Sequence, residues 1–143
     1  MRTFVYGARF EPGDESGIVV SFPDVPEAIT QGEDEADAAK QAQEALGLAL
    51  LPTPDAGYRC PMQRRARGLV RIAVAPEVAA KIAVLEAFAK SGISKSELAR
   101  RLRKDEKEVR RILDPRHLTK LATLTEALRE LGQQLVIGVQ AAA

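Results

Sequence analysis

The chain has 143 residues and 45% hydrophobic side chains, which suits one medium domain or two small ones and argues against global disorder. Its 21 Lys and Arg nearly balance 20 Asp and Glu, and with 4% aromatics and no Trp it is poorly equipped to bind single strands by base stacking. One cysteine, Cys60, excludes an intrachain disulfide framework and a multi-cysteine zinc site, and no apolar run approaches the roughly 20 residues of a membrane span.

Residues 3–10, TFVYGARF, alternate, with Phe4, Tyr6, Ala8 and Phe10 on one face, and predict a half-buried strand. The turn residues Pro12, Gly13 and Gly17 separate it from IVVSF (18–22), so the two read as a hairpin. Pro23 and Pro26 end the pairing, and EAITQ (27–31) fits a short third strand. Residues 33–50 predict a helix, from Ala38, Ala42, Ala45, Leu46, Ala49 and Leu50. Glu33, Asp34, Glu35 and Asp37 crowd its positive end. The segment 52–68 has no periodicity and reads as a long loop. LVRIAVA (69–75) predicts another strand.

From residue 77 the pattern is helical. Val78, Ile82, Leu85 and Ala89 mark a helix ending near Ser91 and Gly92. Ser94 and Glu97 form a capping-box pattern before a helix over 94–102. Asp105 is placed to cap a helix with Val109, Ile112 and Leu113 on its inner face, which Asp114-Pro115 stops. Leu118, Leu121, Leu124, Leu128 and Leu131 space a further helix closed by Gly132, whose stripe reads more readily as core than as a dimer face. QLVIGV (134–139) alternates as a last strand. It has no evident partner in its own domain, so pairing with the same segment of a second copy is expected.

The near-neutral total hides an asymmetry. Residues 1–60 carry 4 basic and 11 acidic groups, a net of −7, while residues 61–143 carry 17 and 9, a net of +8. The acidic half suits a basic partner and the basic half a polyanion, unless both are merely solvated surface. The helices over 94–102 and 105–113 have the spacing of a helix-turn-helix, whose second helix enters the major groove. The residues this spacing and charge offer to DNA are Lys104, Lys107, Glu108, Arg110 and Arg111. Lys107 and Arg111 share a face, Glu108 is able to accept from a cytosine amino group, and Arg110 and Arg111 suit phosphate or guanine. A solvated helix pair is the plainer reading of the same charges.

KSELARRL, EVRRIL and LTKLATLTEALRELG together resemble the lambda-repressor-like (Xre-type) helix-turn-helix family. The resemblance implies a phosphate-contacting position at Lys95, helix contact at Ala99, a cap at Asp105 and reading positions at Glu106, Lys107, Glu108 and Arg110. Many relatives have Gly at the turn, where this chain has Arg103. A left-handed arginine there costs about 1–2 kcal/mol, or the turn is built differently. GIVVSFPDVPEAITQGEDEADAAKQAQEALGLAL resembles the signature of the HicB antitoxin family, from residue 3 to 75 and on into the helix-turn-helix. What it implies is an α+β chain. Residues 1–76 form a partial ribonuclease-H-like domain that binds and masks a HicA-type mRNA-cleaving toxin. Residues 77–143 form an all-α helix-turn-helix domain with a C-terminal strand that binds operator DNA and dimerises.

The expected protein is a cytoplasmic antitoxin and repressor, a homodimer or higher homo-oligomer, with no membrane association. The first fifteen residues also lack the apolar stretch of a secretory signal. The alternative is a stand-alone dimeric regulator without a toxin. A nuclease would need carboxylates converging on Mg²⁺. Asp14, Asp24, Glu33, Asp34 and Asp37 sit instead in a turn, between prolines or at a helix cap, and no metal, cofactor or catalytic residue is expected. His117 reads as a loop residue or DNA-backbone contact and Cys60 as an ordinary thiol. The acidic helix 33–50 and the loop 52–68 are the expected toxin contacts.

Overall fold

The computed structural model describes residues 1–52, 60–64 and 67–142, so most of the expected loop over 52–68 lies outside the described residues. The chain divides into two compact units. One is built from Met1–Leu50 and Pro61–Ala75, the other from Pro76–Val139. The tail from Gln140 groups with the first, where Gln140 Nε2 donates to the Arg71 carbonyl at 3.5 Å. Among the described residues no helix is long and apolar enough to cross a membrane.

The first unit is a four-stranded antiparallel sheet with one helix. Its strands are β1 (Val5–Pro12), β2 (Ile18–Ser21), β3 (Ile29–Gly32) and β4 (Val70–Ala73), in the order β3-β2-β1-β4. Phe10 pairs with Val20 and Tyr6 with Ile72. This register brings Tyr6, Ala8, Val20 and Ile72 to one buried face. The helix α1 (Glu35–Leu50) packs on the sheet and buries Ala38, Ala42, Leu46 and Leu50. Small residues at 38 and 42 allow its first turns to approach closely. At Gly32 a Cβ would run into the Ala38 backbone, so the strand end and the helix start meet where only glycine fits.

The acids before α1 act locally. The Asp34 carboxylate accepts from the Asp37 amide at 2.8 Å, and the Asp37 carboxylate accepts from the Glu33 amide at 2.9 Å. The helix therefore begins two residues after the expected start, because Glu33 and Asp34 are spent on its cap. The third strand likewise falls at Ile29–Gly32 rather than 27–31. Successive turns, Val25 N–H to Phe22 O and Ala28 N–H to Val25 O, occupy the residues before it.

The second unit holds α2 (Pro76–Ser91), α3 (Lys95–Leu102), α4 (Glu106–Ile112) and α5 (Leu121–Glu130). Ala80 and Val84 of α2 pack with Ile112, Leu124, Ala127 and Leu128, so α2, the end of α4 and α5 share a core. A second cluster of Leu98, Ala99 and Val109 joins α3 to α4.

Two expectations are corrected here. Leu118 does not belong to the last helix. It lies outside α5 and is 85% exposed, because the chain turns at Asp114–His117 and Thr119 is buried before α5 starts. Residues 134–139 form no strand in the single chain. The backbone turns out of α5 through Gly132 at φ 80°, and a strand exists only where its amides and carbonyls find a neighbouring ladder. Leu135 packs against the helical core, while Ile137 and Val139 stay exposed.

Candidate nucleic-acid interface

The helices α3 and α4 are built to start and stop within a few residues. The Ser94 hydroxyl accepts from the Glu97 amide at 3.1 Å and caps α3. The Asp105 carboxylate accepts from the Glu108 amide at 2.8 Å and caps α4. Between them Arg103 adopts φ 55° and ψ 43°, the left-handed region. Its N–H donates to the Arg100 carbonyl at 3.2 Å, and the Lys104 N–H reaches the Ala99 carbonyl at 3.0 Å. These two bonds are those of a Schellman motif, which satisfies the last carbonyls of α3 and turns the chain at once into α4.

Burying Val109 and Ile112 leaves the rest of α4 outward. Glu106, Lys107, Glu108, Arg110 and Arg111 are all exposed. Lys95 is exposed at the first residue of α3, and Lys104 is half-buried in the turn. Lys107 and Arg111 stand one turn apart on one side of α4. Glu106 has local partners: it accepts from the Ser96 hydroxyl at 2.5 Å and pairs with Arg110 at 3.6 Å. The expected set is thus placed on adjacent helix surfaces, but Glu106 and Arg110 are already engaged with each other.

The reciprocal half of the α3 capping box is absent. The Glu97 carboxylate turns to Arg100 and Arg101 at 2.5 and 3.0 Å instead of to the Ser94 amide. Hydrogen bonds from Arg100 and then Arg101 hold its carboxyl at about pKa 2, below the usual carboxylate range, and Glu97 raises the pKa of Arg100 in return. Arg101 also donates to the Glu130 carbonyl at 3.2 Å, at the end of α5.

Lys81 escaped the reading of the sequence. It is 3% exposed within α2, and its ammonium donates to the Ile112 carbonyl at 2.7 Å, the Arg111 carbonyl at 3.2 Å and the Thr119 hydroxyl at 2.7 Å. A cation on the last carbonyls of α4 is favoured by the helix dipole. Burial pushes its pKa down to about 8, with Asp114 opposing the shift. The available signal was weak: Lys81 is flanked by Ala80 and Ile82, with Val78 and Leu85 three and four residues away on its own face. His117 is exposed, with Nδ1 3.2 Å from the Thr119 hydroxyl.

In the first unit, Asp24 is a clip. Its side chain is 10% exposed, accepts from the Arg64 amide at 2.8 Å and pairs with the Arg64 guanidinium at 3.3 Å. Among the described residues no group of three or more His, Cys, Asp or Glu is arranged to hold a metal ion. Cys60 is half-buried.

No family model matches the chain. It is similar to antitoxin HicB 1 of Photorhabdus laumondii, 36% identical over 94% of this chain and 86% of that protein. It is also similar to antitoxin HicB of Escherichia coli K12, 36% identical over 91% of this chain and 95% of that protein. Antitoxin HicB of Pseudomonas fluorescens is 30% identical over 92% of this chain and 90% of its own length. Identity at this level along nearly the whole length takes in both units, the sheet with its capped helix and the cationic helix pair, and on that ground the chain belongs to the HicB antitoxin family.

Proposed function

We propose that the chain neutralises a HicA-type mRNA-cleaving ribonuclease toxin and represses its own operon. It does so as a cytoplasmic homodimer or higher homo-oligomer without a metal or cofactor. The carrying observation is the tight α3–turn–α4 pair, whose second helix turns Val109 and Ile112 inward and its charged side chains outward. In this reading α3 and α4 are a helix-turn-helix, α4 enters the major groove, and Lys95, Lys104, Lys107, Arg110 and Arg111 supply phosphate and base contacts. Glu106 and Glu108 lie on the same surface and disfavour wrong partners.

The first unit, a partial ribonuclease-H-like layer, is the toxin-binding module. The exposed Glu33, Asp34 and Glu35 at the start of α1 support this by charge complementarity to a basic enzyme. Its acids support a binding role over a catalytic one, since Asp24 holds Arg64 and Asp34 and Asp37 cap α1.

The deciding experiment purifies the full chain alone and after co-expression with a small basic protein encoded beside it, then measures binding to duplex DNA from the upstream region. Co-purification, loss of the partner's ribonuclease activity and salt-sensitive DNA binding are expected. DNA binding with no such partner would establish the stand-alone regulator instead. Mg²⁺-dependent RNA cleavage by the chain itself, lost in Asp24→Asn, would overturn the proposal.

A further inference from the structure

Arg103 is the one residue other than glycine with positive φ among the described residues. The same unit holds a direct comparison. At the end of α5 the Gly132 N–H donates to Arg129 O at 3.1 Å and the Gln133 N–H to Leu128 O at 2.9 Å, the bond pattern found at Arg103 and Lys104. Gly132 takes φ 80° without a Cβ penalty. Arg103 performs the same turn with a Cβ in the left-handed region, where strain persists only if something else selects the side chain.

Packing does not select it, because Arg103 is exposed. Nor does an ion pair. Glu97 engages Arg100 and Arg101, and Glu106 engages Arg110, but among the described residues no carboxylate pairs with Arg103. Arg103 stands in the turn between two capped helices, next to Lys104 and four residues before Lys107, with its side chain exposed. An exposed guanidinium there suits a bidentate contact with a phosphate oxygen pair.

We propose that Arg103 is a phosphodiester-contacting residue, and that the chain tolerates a strained helix stop to place a fixed cation at the duplex backbone. This rests on the reading of α3 and α4 as a DNA-binding pair and adds a contact at the turn itself.

Full-length chain and its Arg103→Gly, Arg103→Ala and Arg103→Lys variants are compared by thermal melting and by titration of an upstream duplex across a range of salt. Arg103→Gly is expected to melt about 2–6 °C higher and yet bind about five- to tenfold more weakly near 0.1 M salt, with the log–log salt slope smaller by about 0.9. Arg103→Ala loses the same affinity and slope without the gain in melting temperature, which separates lost charge from a loosened turn. Arg103→Lys keeps the slope. Wild-type salt slope in both Arg103→Gly and Arg103→Ala, with wild-type binding intact, overturns this inference and leaves the DNA-binding reading standing. Absence of any salt-dependent duplex binding by the wild-type chain removes that reading and the inference with it.

Discussion

The Ser96 hydroxyl donates to the Glu106 carboxylate at 2.5 Å, so a side chain of α3 fixes the first residue of α4 across the turn. Glu106 also holds Arg110 at 3.6 Å, one turn further along. A carboxylate on a surface proposed to meet phosphates opposes binding twice, by its own charge and by occupying an arginine. Glu106→Gln keeps an acceptor for Ser96 and removes the charge. Its affinity for a random-sequence duplex should rise about two- to fivefold at low salt, read by fluorescence anisotropy. Weaker or unchanged binding in the folded variant would show that Glu106 does not face the polyanion.

Lys81 gives the stability curve a distinctive alkaline limb. With its pKa at about 8 in the folded chain and 10.5 when unfolded, both states hold the proton below pH 8. Above that, the folded chain releases it while the unfolded chain keeps it, so the unfolded state binds more protons and stability rises with pH up to the ordinary lysine value. From neutral pH to about pH 9.5 this contributes about 2 kcal/mol in favour of folding. Lys81→Met, which also strands the Arg111 and Ile112 carbonyls, should lack that rise. Urea unfolding of both chains at the two pH values measures it, and parallel pH dependences would refute the assignment.

What was legible in the sequence was whatever obeys local periodicity and capping chemistry. Tyr6, Ala8, Val20 and Ile72 alternate because one sheet face is buried, and Ser94 and Asp105 cap α3 and α4. What was not legible depends on partners distant in the chain. Lys81 is 38 residues from Thr119, and Asp24 is 40 from Arg64. The choice of Glu97 between the Ser94 amide and two arginines is also a tertiary competition, which spacing cannot decide. The 134–139 segment has the alternation of a strand but no ladder to join within one chain, and a strand forms only against a neighbouring one.

Gly32 should be intolerant of a side chain. A Cβ would collide with the Ala38 backbone, and neither β3 nor the capped start of α1 has a flexible end to move aside. Gly32→Ala should destabilise the first unit by about 1–3 kcal/mol, seen as a lower urea midpoint. An unchanged midpoint would mean that α1 sits further from the sheet than described.

The chain after Gly132 should decide the oligomeric state. Val136, Ile137 and Val139 are 61%, 67% and 97% exposed, an apolar run that a monomer gains nothing by presenting to water. On the proposed dimer reading, this segment pairs with the same segment of a second copy running antiparallel, and the symmetric dimer would set two α4 helices roughly 34 Å apart on successive major grooves. Truncation after Leu135 keeps the one residue of this stretch that packs on the helical core and removes the exposed ones. The truncated chain should be monomeric by light scattering. It should also lose cooperative binding to a two-half-site duplex while keeping its melting temperature. A dimer of undiminished mass would place the self-association elsewhere in the chain.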